Sequence, residues 1–227
     1  MELDEFTEKF QKLRAKGFIK TTRSGPTGIG HTLETELGIK ENNIASPDLG
    51  EIELKAHRHG QNSLITLFTF NRKVWKINPL EAIKKYGSLD KNNRQGLYNT
   101  MTLIPNSAGL FLQVTDTDVS VRHIDGTIVV EWGLEAITAQ FVKKIPALML
   151  VSAFSEERDG VEYFHFSSAQ LMKGTSPSLL IDRFKAEHIV VDLRLHDKGT
   201  KSARNHGTGF RAFESSLPYL FSNITNL

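Results

Sequence analysis

Asp48, Glu53 and Lys55 stand within one short stretch, Pro47-Asp48 followed by Glu51-Ile52-Glu53-Leu54-Lys55-Ala56-His57. Hard carboxylate oxygens suit Mg²⁺, which takes one or two protein carboxylates and leaves its other positions for water and phosphate. A metal so held lowers the pKa of a bound water and neutralises charge on a phosphoryl oxygen. An ammonium group beside it can orient that water or offset the phosphate's charge. The run 51–57 alternates charged and apolar residues, the pattern of a half-buried strand. Ile52, Leu54 and Ala56 share one face; Glu51, Glu53, Lys55 and His57 share the other. Asp48 falls in the turn entering that strand, between Pro47 and Gly50. Read alone, Glu-x-Lys equally describes an edge strand whose charged face is wet, with Lys55 paired to a cross-strand acid.

Upstream, Gly25, Gly28 and Gly30 punctuate a turn before a helix. Position 33 is Leu and no Gly-Lys-Ser/Thr follows, so neither a dinucleotide fingerprint nor a Walker loop is present. The turn either brings backbone N–H groups to a DNA phosphate or simply starts the helix. On that helix Ile29, Leu33 and Leu37 form a buried stripe, with Gly38 as its cap. Glu34 borders the stripe, facing either the candidate metal cluster or solvent.

Charge is distributed unevenly although the net value is only +2. Between 11 and 28 the ionised groups are Lys12, Arg14, Lys16, Lys20 and Arg23, with no acid. Between 55 and 79 they are Lys55, Arg58, Arg72, Lys73 and Lys76. Near the C-terminus Arg194, Lys198, Lys201, Arg204 and Arg211 surround Asp197. Such segments suit a polyanion if they converge, and an ordinary surface if they do not. Within Ser202-Ala203-Arg204-Asn205-His206-Gly207-Thr208-Gly209-Phe210-Arg211, an arginine could donate twice to guanine O6 and N7, and Asn205 and His206 could add base contacts. The same block also reads as a surface loop. His57 and His59 lack a cysteine or third ligand at zinc spacing, so they read as surface or phosphate-contact residues.

The elements around these residues make a mixed α/β (α+β) pattern in 227 residues. Glu2–Lys16 carries Leu3, Phe6, Phe10 and Leu13 on one helical face and ends at Gly17. Gln61–Phe70 reads as a core strand following the Glu-x-Lys strand, and Pro79–Tyr86 as a helix with proline at its first position. Asp90–Gln95 reads as a polar loop. Leu110–Thr115, Val119–His123 and Thr127–Trp132 predict an antiparallel meander. Gly133–Lys144 predicts a helix, and Leu148–Phe154 with Val161–Phe166 a hairpin. Ser178–Ala186 predicts a helix, His188–His196 a strand, and Phe213–Phe221 a closing helical turn. There is no cysteine, so there is no disulfide framework or thiolate site. No apolar run reaches the length of a membrane span and the N-terminus is acidic, unlike a secretory signal. A cytoplasmic protein of one domain is expected, with a catalytic region at about 1–77 and a recognition region including 187–215.

Asp-x4-Glu-x-Lys entering a strand resembles the PD-(D/E)xK nuclease motif. The wider stretch KTTRSGPTGIGHTLETELGIKENNIASPDLGEIELKAH resembles the MvaI/BcnI group of restriction endonucleases, a branch related to the mismatch-repair nicking enzyme MutH. The Leu33-Glu34 pair after the glycine turn, Pro47-Asp48, Glu53-x-Lys55, the run Leu64–Thr69 and His206–Arg211 occur in that group's order; the middle third carries little of the likeness. The resemblance implies a restriction-endonuclease-like core, a mixed β-sheet flanked by helices, with two lobes around a DNA cleft. It implies Asp48, Glu53 and Glu34 as metal residues for Mg²⁺ (Mn²⁺ substituting), Lys55 as the residue that aligns or activates water, and no organic cofactor. Arg23, Asn205, His206 and Arg211 are the candidate nucleic-acid contacts. The expected activity is type II cleavage of double-stranded DNA at a short CC/GG-type site by a monomer that nicks the strands in turn, leaving 5′-phosphate and 3′-hydroxyl. A DNA methyltransferase would be its genetic partner. Two alternatives stay open: a MutH-like repair nickase, and a catalytically inactive DNA-binding relative.

Overall fold

The computed structural model describes residues 2–39, 51–90 and 93–227. The chain folds as two compact units. Unit 1 comprises Met1–Ser63, Val142–Gly174 and Phe221–Leu227; unit 2 comprises Leu64–Phe141 and Thr175–Leu220. The expected catalytic region 1–77 is thus divided after Ser63, and the recognition stretch 187–215 lies in unit 2.

Unit 1 begins with α1 (Leu3–Ala15), β1 (Ile19–Lys20), α2 (Gly28–Leu37) and β2 (Ile52–Arg58). Its sheet is completed by β9 (Ala147–Arg158), β10 (Val161–Lys173) and β14 (Asn223–Asn226), in the order β1-β10-β9-β2 with β14 also on β10. The β9–β10 hairpin is antiparallel, whereas β2 lies parallel to β9 from Ile52↔Ala147 to Arg58↔Ala153. The sheet is therefore mixed, with β2 at its edge among the described residues. Phe6, Phe10 and Leu13 of α1 and Ile29, Leu33 and Leu37 of α2 are buried with Leu54, Met149, Val151, Phe164 and Phe166 of the sheet. The helical spacing of the first six and the strand alternation of the rest put both apolar sets into one core. Gly38 ends α2 in the left-handed conformation, φ 72°, where a side chain would be strained.

Unit 2 holds β3 (Leu64–Thr69), α3 (Pro79–Tyr86), β4 (Ser88–Leu89), β5 (Gln95–Met101), β6 (Leu110–Val114), β7 (Asp118–His123) and β8 (Ile128–Gly133). It continues with α5 (Pro177–Lys185), β11 (Ile189–Thr200), β12 (Ser202–Asn205), β13 (Gly209–Phe213) and a 3₁₀ helix at Glu214–Leu220. Helix α4 (Leu134–Lys144) crosses the division between the units. One sheet runs β3-β13-β11-β5-β4, with β12 also on β11; β6-β7-β8 form the expected meander. Trp132 packs edge-on to Phe210, at 5.1 Å between ring centroids, and its indole N–H donates to the Phe70 carbonyl at 2.9 Å. Phe68 also stacks on Phe210, with centroids 4.9 Å apart.

These elements can be set beside the expectations. The strand expected after Glu-x-Lys is found as β3, and its partner is β13 in unit 2. The stretch 202–211 is β12, a turn and β13 rather than a loop. The strand β5 has no counterpart among the elements expected from sequence, because Gly96, Asn99 and Thr100 dilute its apolar alternation. Of the polar loop at 90–95, residues 91 and 92 lie outside the described residues, and Arg94 turns back onto Asp90 with Nη2–Oδ2 at 2.8 Å.

Candidate active site

The site begins with the way α2 is started. Thr27 at its N-cap makes no side-chain cap. A set of threonine hydrogen bonds holds the preceding loop instead. Thr22 N–H donates to Thr32 Oγ1 at 3.0 Å, Thr21 Oγ1 donates to the Arg23 carbonyl at 2.7 Å, and Thr32 Oγ1 donates back to the Gly28 carbonyl at 2.7 Å. Gly28 is required here by space: a Cβ would stand 2.2 Å from the Arg23 carbonyl oxygen. The loop therefore runs hard against the first turn of α2, and Arg23 is carried with it.

On β2, Leu54 turns inward at 5% exposure while Glu53 and Lys55 share the opposite face. Lys55 Nζ lies 2.5 Å from Glu53 Oε1, with the two side chains 30% and 20% exposed. The carboxylate thus accepts from a neighbouring ammonium. Beside this strand, Arg23, His31 and Glu34 line a groove of about 320 Å³ whose lining includes Leu54 and Lys55. Glu34 and Arg23 are consequently brought to the same groove as Lys55, which in turn pairs with Glu53. Pro47 and Asp48 lie outside the described residues. Among the described residues no group of three His, Asp or Glu side chains is gathered as a metal cage.

The other expected contacts belong to unit 2, each with a defined structural partner. Asn205 Oδ1 accepts from the backbone N–H of Gly207 and of Thr208, both at 2.8 Å, and its amide nitrogen donates to Asn71 Oδ1 at 3.0 Å. It shapes the turn between β12 and β13. His206 Nε2 is 2.8 Å from His196 Nδ1, which also meets Tyr98 Oη at 3.0 Å. Desolvation of the ring, then the neighbours His196, Arg204, Arg194 and Arg94, hold the His206 pKa below its usual value. Arg211 on β13 donates from Nη1 to Asp192 Oδ2 and from Nη2 to the Leu64 carbonyl, each at 2.5 Å. Its guanidinium is thereby committed to the sheet, and its Nε is buried with no hydrogen-bond partner among the described residues.

Sequence reasoning overlooked Asp192, whose other oxygen accepts from Thr100 Oγ1 at 2.5 Å. The signal was present: an acid alone in the apolar run Ile189-Val190-Val191-Asp192-Leu193 must be paired if that run is buried. It also overlooked Arg58 and Glu162, an ion pair between β2 and β10.

With this geometry in place, the family model of the MvaI/BcnI restriction endonuclease family matches residues 7–221. The chain belongs to that family. A solved complex of restriction endonuclease MvaI with cognate DNA superimposes with a TM-score of 0.77 at 25% identity, over 100% of this chain and 99% of that one. MvaI solved without DNA matches with a TM-score of 0.56 at 24% identity, over 100% and 98% respectively, a likeness of fold. No curated protein matches the chain. The expected mixed α/β restriction-endonuclease fold is thus found, and the protein is a type II restriction endonuclease, a site-specific deoxyribonuclease. No helix among the described residues is long and apolar enough to cross a membrane.

Proposed function

We propose that the protein hydrolyses both strands of a short DNA site with Mg²⁺ held by Glu53, Asp48 and Glu34, and with Lys55 aligning the attacking water. The observation that carries this reading is that Lys55, which pairs with Glu53 at 2.5 Å, lines the same groove as Glu34 and Arg23. The donor set fits the ion: Glu53 offers a hard oxygen at a partly exposed position, and Glu34 adds a second carboxylate. The metal, when bound, acidifies a water and offsets charge on the phosphoryl oxygen. Lys55 orients that water for in-line attack and compensates the phosphate's charge through its ammonium. Arg23 positions the backbone from the rim of the groove. The products would be 5′-phosphate and 3′-hydroxyl.

Recognition we assign to the β12–β13 turn, with His206 and Asn205 at base edges and Arg211 as its support through Asp192. The single-domain arrangement, a catalytic region at about 1–77 and a recognition region around 187–215, belongs to the same reading. So do a monomer nicking the strands in turn at a CC/GG-type site, a protecting methyltransferase and a cytoplasmic setting. MvaI's solved complex with cognate DNA supports double-stranded DNA as substrate.

A supercoiled plasmid bearing candidate sites tests the reading. The parent protein with Mg²⁺ should give nicked and then linear DNA, and chelation should stop it. Lys55→Ala should bind DNA and melt like the parent while its cleavage rate falls by about three orders of magnitude, the scale of losing a group that acts on the reacting atoms. Parent-like cleavage by Lys55→Ala overturns the site assignment; product stalled at nicked circles favours the repair-nickase alternative.

A further inference from the structure

The chemistry assigned above needs α2, which carries Glu34, and the loop that carries Arg23 to keep a fixed place beside β2. One guanidinium ties them together. Arg58, at the end of β2, donates from Nε to Glu162 Oε1 at 2.6 Å and from Nη2 to Glu162 Oε2 at 2.8 Å. The same group reaches the carbonyls of Pro26 and Gly25, each at 3.3 Å. Its guanidinium carbon lies 5.2 Å from the Phe164 ring centroid. The Arg58 side chain is only 13% exposed, against 29% for Glu162. Glu162 also binds the loop from its backbone, its carbonyl accepting from Thr21 N–H at 2.9 Å.

We propose that Arg58, oriented by Glu162, is a positioning residue for DNA cleavage: it fixes the Gly25-Pro26 turn, and with it Arg23 and Glu34, against the strand of Glu53 and Lys55. Several features support the assignment. A carboxylate that receives two parallel N–H donors sets both the plane and the distance of a guanidinium. The remaining donors of that plane then point at carbonyls that close the loop just before Gly28. The loop is already braced on its other side by the threonines and by the Gly28 contact, so a shift at Arg58 moves the loop and α2 together. Lysine cannot replace it, having no planar fork to serve an acid and two carbonyls at once. The inference rests on the catalytic reading given above, since only that reading makes the separation of Glu34 and Lys55 matter.

The test compares Arg58→Ala, Arg58→Lys and Glu162→Gln with the parent and with Lys55→Ala. Single-turnover cleavage is measured at saturating DNA, and DNA affinity with Ca²⁺ replacing Mg²⁺. Arg58→Ala should cleave roughly 10- to 100-fold more slowly, the scale expected of a misplacement near 1 Å, with DNA affinity within about threefold of the parent's on that scale. Methylguanidinium added at matched ionic strength should restore a large part of the rate in Arg58→Ala and none in Lys55→Ala. Arg58→Lys should remain slow, and Glu162→Gln should lose rate while melting like the parent. Should Arg58→Ala fail to fold, Glu162→Gln decides by the same measurement. Parent-like rates in the folded variants overturn the inference, as does a slow Arg58→Ala that methylguanidinium leaves unchanged. If Lys55→Ala itself cleaves normally, the catalytic reading falls; if Lys55→Ala is inactive while Arg58→Ala is not, only the positioning role falls.

Discussion

The Arg211 guanidinium and the Asp192 carboxylate join two adjacent strands, β13 and β11, through a 2.5 Å contact in which the side chains are 23% and 11% exposed. Removing either partner strands the other charge, at a cost of about 3 kcal/mol or more. Arg211→Ala should therefore lower the urea midpoint strongly, and the double variant with Asp192→Ala should cost less than the sum of the singles. An Arg211→Ala protein as stable as the parent, weakened only in DNA binding, would show that this arginine serves the DNA and not the sheet.

That pair also marks where the sequence stopped being readable. The alternation 51–57 and the stripe Ile29-Leu33-Leu37 were legible because each is local: a strand or helix face is written at fixed spacing. The same holds for Pro79–Tyr86 and the meander. The partner of a strand is not local. Nothing in Leu64–Thr69 says that it pairs with β13 while β2 lies beside β9. For the same reason Arg211 looked like an exposed donor: its acid lies in another strand, and only the fold brings Asp192 to it. In the candidate site, Glu53 and Lys55 were visible through their two-residue spacing, whereas the Arg58–Glu162 link between distant segments was not.

The two carboxylates Glu53 and Glu34 should differ in their effect on metal dependence. Glu53, paired to Lys55, is proposed as a direct ligand, and Glu53→Ala should abolish cleavage at any Mg²⁺ concentration. Glu34 assists, so Glu34→Gln should cleave at high Mg²⁺ and require roughly tenfold more of it, the scale of losing one partner of a metal site. Isothermal titration of Ca²⁺, in place of the catalytic ion, into each variant bound to DNA checks this without cleavage. Equal metal affinity in Glu34→Gln and the parent would remove Glu34 from the set.

Gly28 has no room for a methyl group, since its Cβ would meet the Arg23 carbonyl at 2.2 Å and Thr21 Oγ1 at 3.0 Å. The obstacle is backbone, so the loop itself must move. Gly28→Ala should cost about 1–3 kcal/mol, as overpacking does, and slow cleavage by displacing Arg23. Gly30, with nothing near its Cβ position, is the control: Gly30→Ala should keep the parent's melting temperature or raise it slightly.

His188 gives unit 2 a pH dependence. Its ring stacks on Tyr219 with centroids 4.5 Å apart, and its Nδ1 is buried with no hydrogen-bond partner among the described residues. Burial, and secondarily Arg183, lower its pKa below the usual value. A depressed folded-state pKa means the fold favours the neutral ring. The associated stability is fully present above the unfolded pKa of about 6.5 and is lost as pH falls through the folded value. Urea unfolding at pH about 7.5 and about 5.5 should show this loss, and His188→Phe should make it smaller. An identical loss in the variant would place the titration elsewhere.

The aromatic cluster around Trp132 has a practical corollary. Both tryptophans of the chain, Trp75 and Trp132, fall within unit 2, whereas unit 1 contains Tyr163 as its one tyrosine and no indole. Trp132 is 1% exposed and anchored to Phe70, so its emission shifts to longer wavelength when that cluster meets water. A fluorescence melt thus follows the half of the chain that carries His206 and Arg211. Loss of order around Glu53 and Lys55 passes unseen in the same trace unless an indole is introduced there.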